Sequence, residues 1–297
     1  MKKKIFTGVG VALVTPFTGE FGEKVNYEKL EELVEFEIKN GVDAIVICAT
    51  TGEASVMPDE EHLATAKCCI DAVAKRVPVI VGAGSNDTLH AIKLTKECEK
   101  MGADGVLSVT PYYNKTTQEG LYRHYSAIAA KTDIPIVLYN VPGRTNLNIN
   151  PETYARLSKI PNINAVKECN MSQVYETIKL CGDDLNIYSG EDGQVFYPTL
   201  CGGDGVISVV ANFAPKYMHD IVMLAKEGKV KEALELQIGV LDLVKAMFCE
   251  VNPMPVKEAM NQLGFGVGPC RMPLCDISDA HKALVAEELK KFGLKTV

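Results

Sequence analysis

Lys167 ends the β-branched run from Ile163 to Lys167, and the period-two rule puts it on one strand face with Ile163 and Ala165. A lysine on an apolar face is rare unless paired. Desolvation there lowers an ammonium's pKa towards the range where the amine is a nucleophile. The chemistry on offer is a Schiff base with a carbonyl substrate; the bland alternative is a strand-end lysine that snorkels or pairs with Glu168. Tyr139 closes the preceding run, Ile134 to Asn140, as either a satisfied core hydroxyl or a proton shuttle at a carbinolamine. Thr50 offers that phenol a hydrogen-bonded relay. Thr51-Gly52-Glu53 follows a strand, so its hydroxyl and main-chain N–H groups form either a carboxylate grip or a plain helix-entry turn. Arg144 is either surface charge or a bidentate fork for a second carboxylate. His62, His90, His124, His219 and His281 lack ligand spacing with one another, so no zinc or iron site is expected.

The elements that must hold these groups alternate. Short apolar runs cover Gly10 to Thr15, Ala44 to Thr50, Pro78 to Gly82, Gly105 to Thr110, Ile134 to Asn140, Ile163 to Lys167, Asn186 to Gly190 and Gly205 to Val210. Helical patterns lie between them at Tyr27 to Asn40, Pro58 to Arg76, Thr88 to Met101 and Gln118 to Lys131, with Gly41 and Gly102 as stops and Pro58 as a start. Strands apolar on both faces belong to a covered parallel sheet. A faint repeat, Asn40-Gly41-Val42-Asp43 against Met101-Gly102-Ala103-Asp104 and Gly202-Gly203-Asp204, recurs at about twice the ~30-residue βα unit. Eight such units make an α/β chain with a (β/α)8 barrel over residues 1–228. A doubly wound sheet would need a glycine-rich nucleotide turn, which neither Gly8-x-Gly10 nor Gly82-x-Gly84 completes. Residues 229–297 read as an added helical domain: Lys231 to Met247, a break at Asn252-Pro253-Met254-Pro255, then Val256 to Leu263 and Ser278 to Phe292. A barrel's site lies at the C-terminal strand ends, here Thr15, Thr50, Thr51, Thr110 with Tyr112 and Tyr113, Tyr139, Asn140, Lys167, Glu168, Ser189 and Gly190.

Composition narrows the setting. Among 297 residues, 31 basic and 38 acidic side chains leave a net charge of −7, which argues against nucleic acid or an anionic membrane as partner. The run after Lys2-Lys3-Lys4 is interrupted by Thr7, Gly8 and Gly10 and has no cleavage signal, so it reads as a core strand rather than a leader. Ten scattered cysteines without a CxxC pair point to buried thiols in a reducing cytoplasm.

Four motifs in order, Ala49-Thr50-Thr51-Gly52-Glu53, Thr110-Pro111-Tyr112-Tyr113-Asn114, Tyr139-Asn140-Val141-Pro142-Gly143-Arg144-Thr145 and Val166-Lys167-Glu168, resemble the dihydrodipicolinate synthase family of pyruvate-dependent class I aldolases. The resemblance extends to Asn252-Pro253-Met254-Pro255-Val256-Lys257, with Ala49 standing where the family usually has glycine. It implies no metal or organic cofactor and a condensation of pyruvate with aspartate 4-semialdehyde in lysine and diaminopimelate biosynthesis. Carried over by motif, Lys167 forms the imine, Tyr139 moves protons, and Thr50 and Tyr113 complete the relay. Thr51 holds the pyruvate carboxylate, Ile207 adds a main-chain contact with Gly190 in the same site, and Arg144 meets the aldehyde's carboxylate.

The resemblance also implies a homotetramer of tight dimers, with Tyr113 entering the neighbour's site, and a possible allosteric pocket at His62, Asn86, His90 and Tyr112. Ala54 and His90 replace a serine and a glutamate of lysine-sensitive members, so inhibition by L-lysine is expected to be weak or absent unless Asp59 or Asp87 substitutes. N-acetylneuraminate lyases and sugar-acid aldolases share the lysine and tyrosine. Tyr112-Tyr113 and Arg144 suit a short carboxylated aldehyde better than a polyol. From another class, a catalytically silent sensor on the same barrel is the alternative.

Overall fold

The computed structural model describes residues 2–297. Its strands are β1 Gly8–Ala12, β2 Ala44–Ile47, β3 Val79–Gly82, β4 Gly105–Val109, β5 Ile136–Asn140, β6 Ile163–Glu168, β7 Asn186–Ser189 and β8 Gly205–Ser208. All are parallel, each pairs with its neighbours in sequence, and β1 pairs with β8 to close the barrel. Each expected apolar run therefore holds a strand. An antiparallel pair, Phe17–Thr18 with Lys24–Val25, is an addition that the alternation did not announce.

Local signals account for the helix limits. Tyr27–Lys39 begins where Asn26 accepts the Lys29 N–H at 3.1 Å, and Gly41 ends it at a φ of +84° that a Cβ would disfavour. Asp87 and Thr117 cap Thr88–Lys100 and Gln118–Ala129 in the same way. Beyond the barrel come Val230–Gly239, Leu241–Met247, Met254–Gln262 and Asp279–Lys291. The single helix expected from Lys231 to Met247 is thus two. It breaks after Gly239, where a Cβ would stand 2.8 Å from the Tyr217 hydroxyl, and the two pieces pack on different partners, Pro215–Lys226 and Asp279–Lys291.

Two large apolar cores result, beside a small cluster of Phe17, Val25 and Met57. The larger lies between strands and helices. The smaller fills the barrel with Ala44, Val46, Ile80, Leu107, Val137, Ala165 and Ile207. At its N-terminal end Phe6 stacks on Tyr188 with ring centroids 4.2 Å apart, and the Tyr188 hydroxyl donates to the Phe6 carbonyl at 2.8 Å. Gly10 admits the Phe6 ring, since a Cβ there would lie 2.9 Å from it. One face assignment needs correcting. Ile163 packs with the outer core, whereas Ala165 lies in the inner one. The β5–β6 register steps from Ile136↔Ile163 to Val137↔Ala165, so Asn164 is an extra residue, a bulge that breaks strict alternation. Lys167, beyond the bulge, keeps the inward phase of Ala165.

Among the described residues no helix is long and apolar enough to cross a membrane. Cys48, Cys69, Cys98, Cys181 and Cys270 are buried free thiols, but Cys68, Cys169, Cys201 and Cys249 are half-buried and Cys275 is exposed, so the expectation of buried cysteines holds for half of them.

Candidate active site

Tyr139 and Lys167 are register partners on β5 and β6, so the strand ladder itself sets phenol beside amine. Lys167 is only 4 % exposed, and its Nζ lies 4.6 Å from the centroid of the Tyr139 ring. Glu168, next in sequence, faces the other way. Its carboxylate accepts from Asn140 Nδ2 at 2.8 Å, the Tyr154 hydroxyl at 2.9 Å, Gln173 Nε2 at 2.7 Å and the Asn170 N–H at 2.7 Å. The Lys167–Glu168 pairing weighed as the bland alternative is therefore not formed. The same network ties the tops of β5 and β6, which carry the two reactive groups, and Asn140 Oδ1 also accepts the Ile149 N–H at 3.0 Å.

Burial pushes the Tyr139 phenol's pKa up, partly opposed by the Lys167 charge and by a hydrogen bond with Thr50. The phenol is therefore a proton donor at neutral pH, and Thr50 is within relay contact of it. Thr51 is buried in the turn after β2, and the Thr51 and Gly52 N–H groups meet no acceptor among the described residues. Two free donors beside a hydroxyl suit a carboxylate. Gly190 follows β7; a Cβ there would stand 2.4 Å from Cys169 Sγ and 3.2 Å from Lys167 Cγ, so only glycine leaves the lysine stem its place. Ile207 lies inside the barrel on β8.

A cavity of about 360 Å³ opens at this end, lined by Thr50, Tyr139 and Arg144 and also by His62, His90 and Tyr112. Thr50, Tyr139 and Arg144 thus share one hollow with His62, His90 and Tyr112, whereas Lys167, Thr51, Gly190 and Ile207 are not among its lining residues. Asn86 is not among the lining residues; its carbonyl accepts from Asn114 Nδ2 at 3.0 Å. Tyr113 is not brought to this site by its own chain. It is 92 % exposed, with a φ of +67°, a strained setting for an aromatic residue. His62 is buried with Nε2 2.8 Å from the Gly82 carbonyl oxygen, and burial lowers its pKa. His90 Nε2 lies 2.9 Å from Asp59 Oδ1, while Lys93 Nζ donates to Asp59 Oδ2 at 2.9 Å. Among the described residues no cluster of three or more His, Cys, Asp or Glu side chains is placed to hold a metal ion.

Sequence reading missed two further parts. Lys257 and Glu53 form an almost fully buried ion pair at 2.9 Å, and Lys257 also donates to the Thr15 and Pro269 carbonyls at 3.0 and 2.6 Å. Asn252 reaches the Thr51 hydroxyl. The signals available were Glu53 closing the Thr51 turn and Lys257 closing the Asn252–Lys257 motif; nothing local shows that the two pair across two hundred positions.

A model of the Dihydrodipicolinate synthetase family matches residues 5–292. A 4-hydroxy-tetrahydrodipicolinate synthase of Acetivibrio thermocellus is 55 % identical over 99 % of this chain and 100 % of its own. Among solved structures, a dihydrodipicolinate synthase from Acinetobacter baumannii complexed with pyruvate is 40 % identical, covering 97 % of this chain and 99 % of that one at a TM-score of 0.94. A Cyanidioschyzon merolae enzyme with lysine bound is 38 % identical, covering 98 % and 100 % at a TM-score of 0.95.

Proposed function

The chain belongs to the dihydrodipicolinate synthetase family and is a lyase of the 4-hydroxy-tetrahydrodipicolinate synthase kind; on that premise we propose that Lys167 forms an imine with pyruvate, which then condenses with aspartate 4-semialdehyde. The observation that carries this reading is the buried Lys167 amine beside the Tyr139 phenol on paired strands.

The unprotonated amine adds to the ketone carbon, and the carbinolamine loses water with a proton supplied from Tyr139 through Thr50. Loss of a methyl proton gives the enamine. Its carbon attacks the aldehyde, whose oxygen takes a proton; the second substrate's own amine then adds to the imine carbon, loses a proton and expels the Lys167 amine, which closes the ring and frees the lysine. Thr51 with the turn N–H groups receives the pyruvate carboxylate, with Gly190 and the Ile207 main chain beside it, and Arg144 meets the carboxylate of the second substrate. No organic cofactor or metal is needed to move these electrons, because the iminium is itself the electron sink.

Residues 1–228 supply the barrel and residues 229–297 the helical part that braces it. The assembly we propose is a homotetramer of tight dimers in which Tyr113 completes a neighbour's relay. Its exposure supports this, as does an unpartnered stripe, Val230, Leu234 and Ile238, on a single helix. His62, Asn86, His90 and Tyr112 form the regulatory group, with weak or no response to L-lysine.

Borohydride reduction in the presence of pyruvate tests the centre of the reading. Mass mapping should place the adduct on Lys167, and Lys167→Ala should lose both adduct and most turnover. An adduct on another lysine overturns it.

A further inference from the structure

Asn252 lies between the helices Leu241–Met247 and Met254–Gln262, and it touches both carboxylate grips. Its Nδ2 donates to Thr51 Oγ1 at 3.0 Å, and its main-chain carbonyl accepts from Arg144 Nη2 at 3.0 Å. The contact is buried, with Asn252 5 % and Thr51 2 % exposed, and Asn252 Oδ1 meets no partner among the described residues. A hydroxyl has one hydrogen to give and two lone pairs to receive. Where an amide N–H already occupies a lone pair of Thr51 Oγ1, the hydroxyl's own hydrogen is left to donate to something else.

We propose that Asn252 is a positioning residue for pyruvate: it turns the Thr51 hydroxyl so that its hydrogen meets the carboxylate, and its carbonyl steadies Arg144 above the same cavity. The inference rests on the reading of Thr51 as the pyruvate grip. The segment that carries Asn252 is itself anchored, because Lys257 reaches back to Glu53 and Thr15 on either side of that turn. Thr15 Oγ1 in turn donates to the Gly52 carbonyl at 2.7 Å. The orphan Oδ1 makes the charge at position 252 decisive. Asn252→Asp keeps the shape, but it removes the donor, invites the Thr51 hydroxyl to turn inward and sets a negative charge near an incoming carboxylate.

The test uses the full chain, with Asn252→Leu, Asn252→Asp, Thr51→Val and the Thr51→Val/Asn252→Leu double variant. Pyruvate half-saturation is read from borohydride trapping, independently of turnover, alongside kcat and both KM values. Thr51→Val and Asn252→Leu should each raise pyruvate half-saturation about tenfold, the effect of one lost hydrogen bond to a charged group. The kcat at saturating substrates should change less than pyruvate half-saturation does. Asn252→Asp should raise half-saturation further, and the double variant should add less than about twofold to Thr51→Val, because the two residues act as one unit. Unchanged half-saturation in Thr51→Val overturns the grip itself. An effect in Thr51→Val with none in Asn252→Leu, a wild-type Asn252→Asp, or multiplying effects in the double variant overturns the positioning role alone.

Discussion

An amino acid bound in the His62–His90–Tyr112 part of the cavity would bring an ammonium that needs a carboxylate to face it. Asp59 is the carboxylate at hand, and it is already engaged by His90 on one oxygen and by Lys93 on the other. These contacts hold its pKa below the usual carboxylate range, Lys93 contributing most and His90 next. Asp87 is committed to capping the helix Thr88–Lys100, where it accepts the Leu89 N–H at 2.9 Å. Without a free anion the site forgoes a charge-assisted hydrogen bond of ~1.5–3 kcal/mol, about ten- to a hundredfold in affinity. Initial rates at saturating pyruvate should therefore stay nearly flat in an L-lysine titration; half-inhibition at submillimolar lysine contradicts this. The residues behind this expectation were named by the family resemblance, whereas the catalytic candidates were legible because each sits at a strand end or in the turn after one. Asn252, Lys257 and Glu168 were in view as motif residues, but what they contact was not. Their contacts join chain segments with no shared periodicity, and a side chain that braces another leaves no pattern of its own in sequence.

Packing between neighbouring helices carries a pH response. His124, on Gln118–Ala129, is buried against Tyr125, and its Nδ1 lies 2.9 Å from Thr88 Oγ1 at the start of the next helix over. Nε2 has no partner among the described residues, so the cheaper tautomer donates from Nδ1–H to the threonine and leaves Nε2 a bare lone pair. Burial lowers the His124 pKa to about 4 from 6.5. Between these values the unfolded chain takes up a proton that the folded one refuses, so acid favours unfolding. Stability from this site is complete above pH 6.5 and lost as pH falls towards about 4, in total about 3 kcal/mol. Denaturant midpoints measured over that window should fall with pH, and His124→Phe should flatten the slope by about one proton's worth. An unchanged slope excludes the group. At this scale the strands and helix starts were plain from β-branched runs and caps. The Asn164 bulge and the break after Gly239 were hidden, since both answer to what packs across from them rather than to neighbours in sequence.

At the scale of the whole molecule the exposed aromatic at the barrel mouth is the feature a lone subunit leaves unexplained. If Tyr113 completes a neighbour's relay, Tyr113→Phe should lower kcat while sparing pyruvate trapping, since the phenol acts only once chemistry begins. Sedimentation should find the active species larger than a monomer, and full activity in a monomeric species would contradict the assembly. The Phe6–Tyr188 stack has a separate bearing on how substrates arrive. It stops the barrel at its N-terminal end, which leaves the C-terminal mouth, where the exposed Arg144 stands, as the open side above the buried Lys167. On the roles proposed for Lys167 and Arg144, shape would then favour an order of entry in which the partner of the amine comes first and the partner of the arginine follows and covers it. An aldehyde that arrives early stands in the doorway, and the condensed product has to retreat past the same arginine before the next pyruvate can pass.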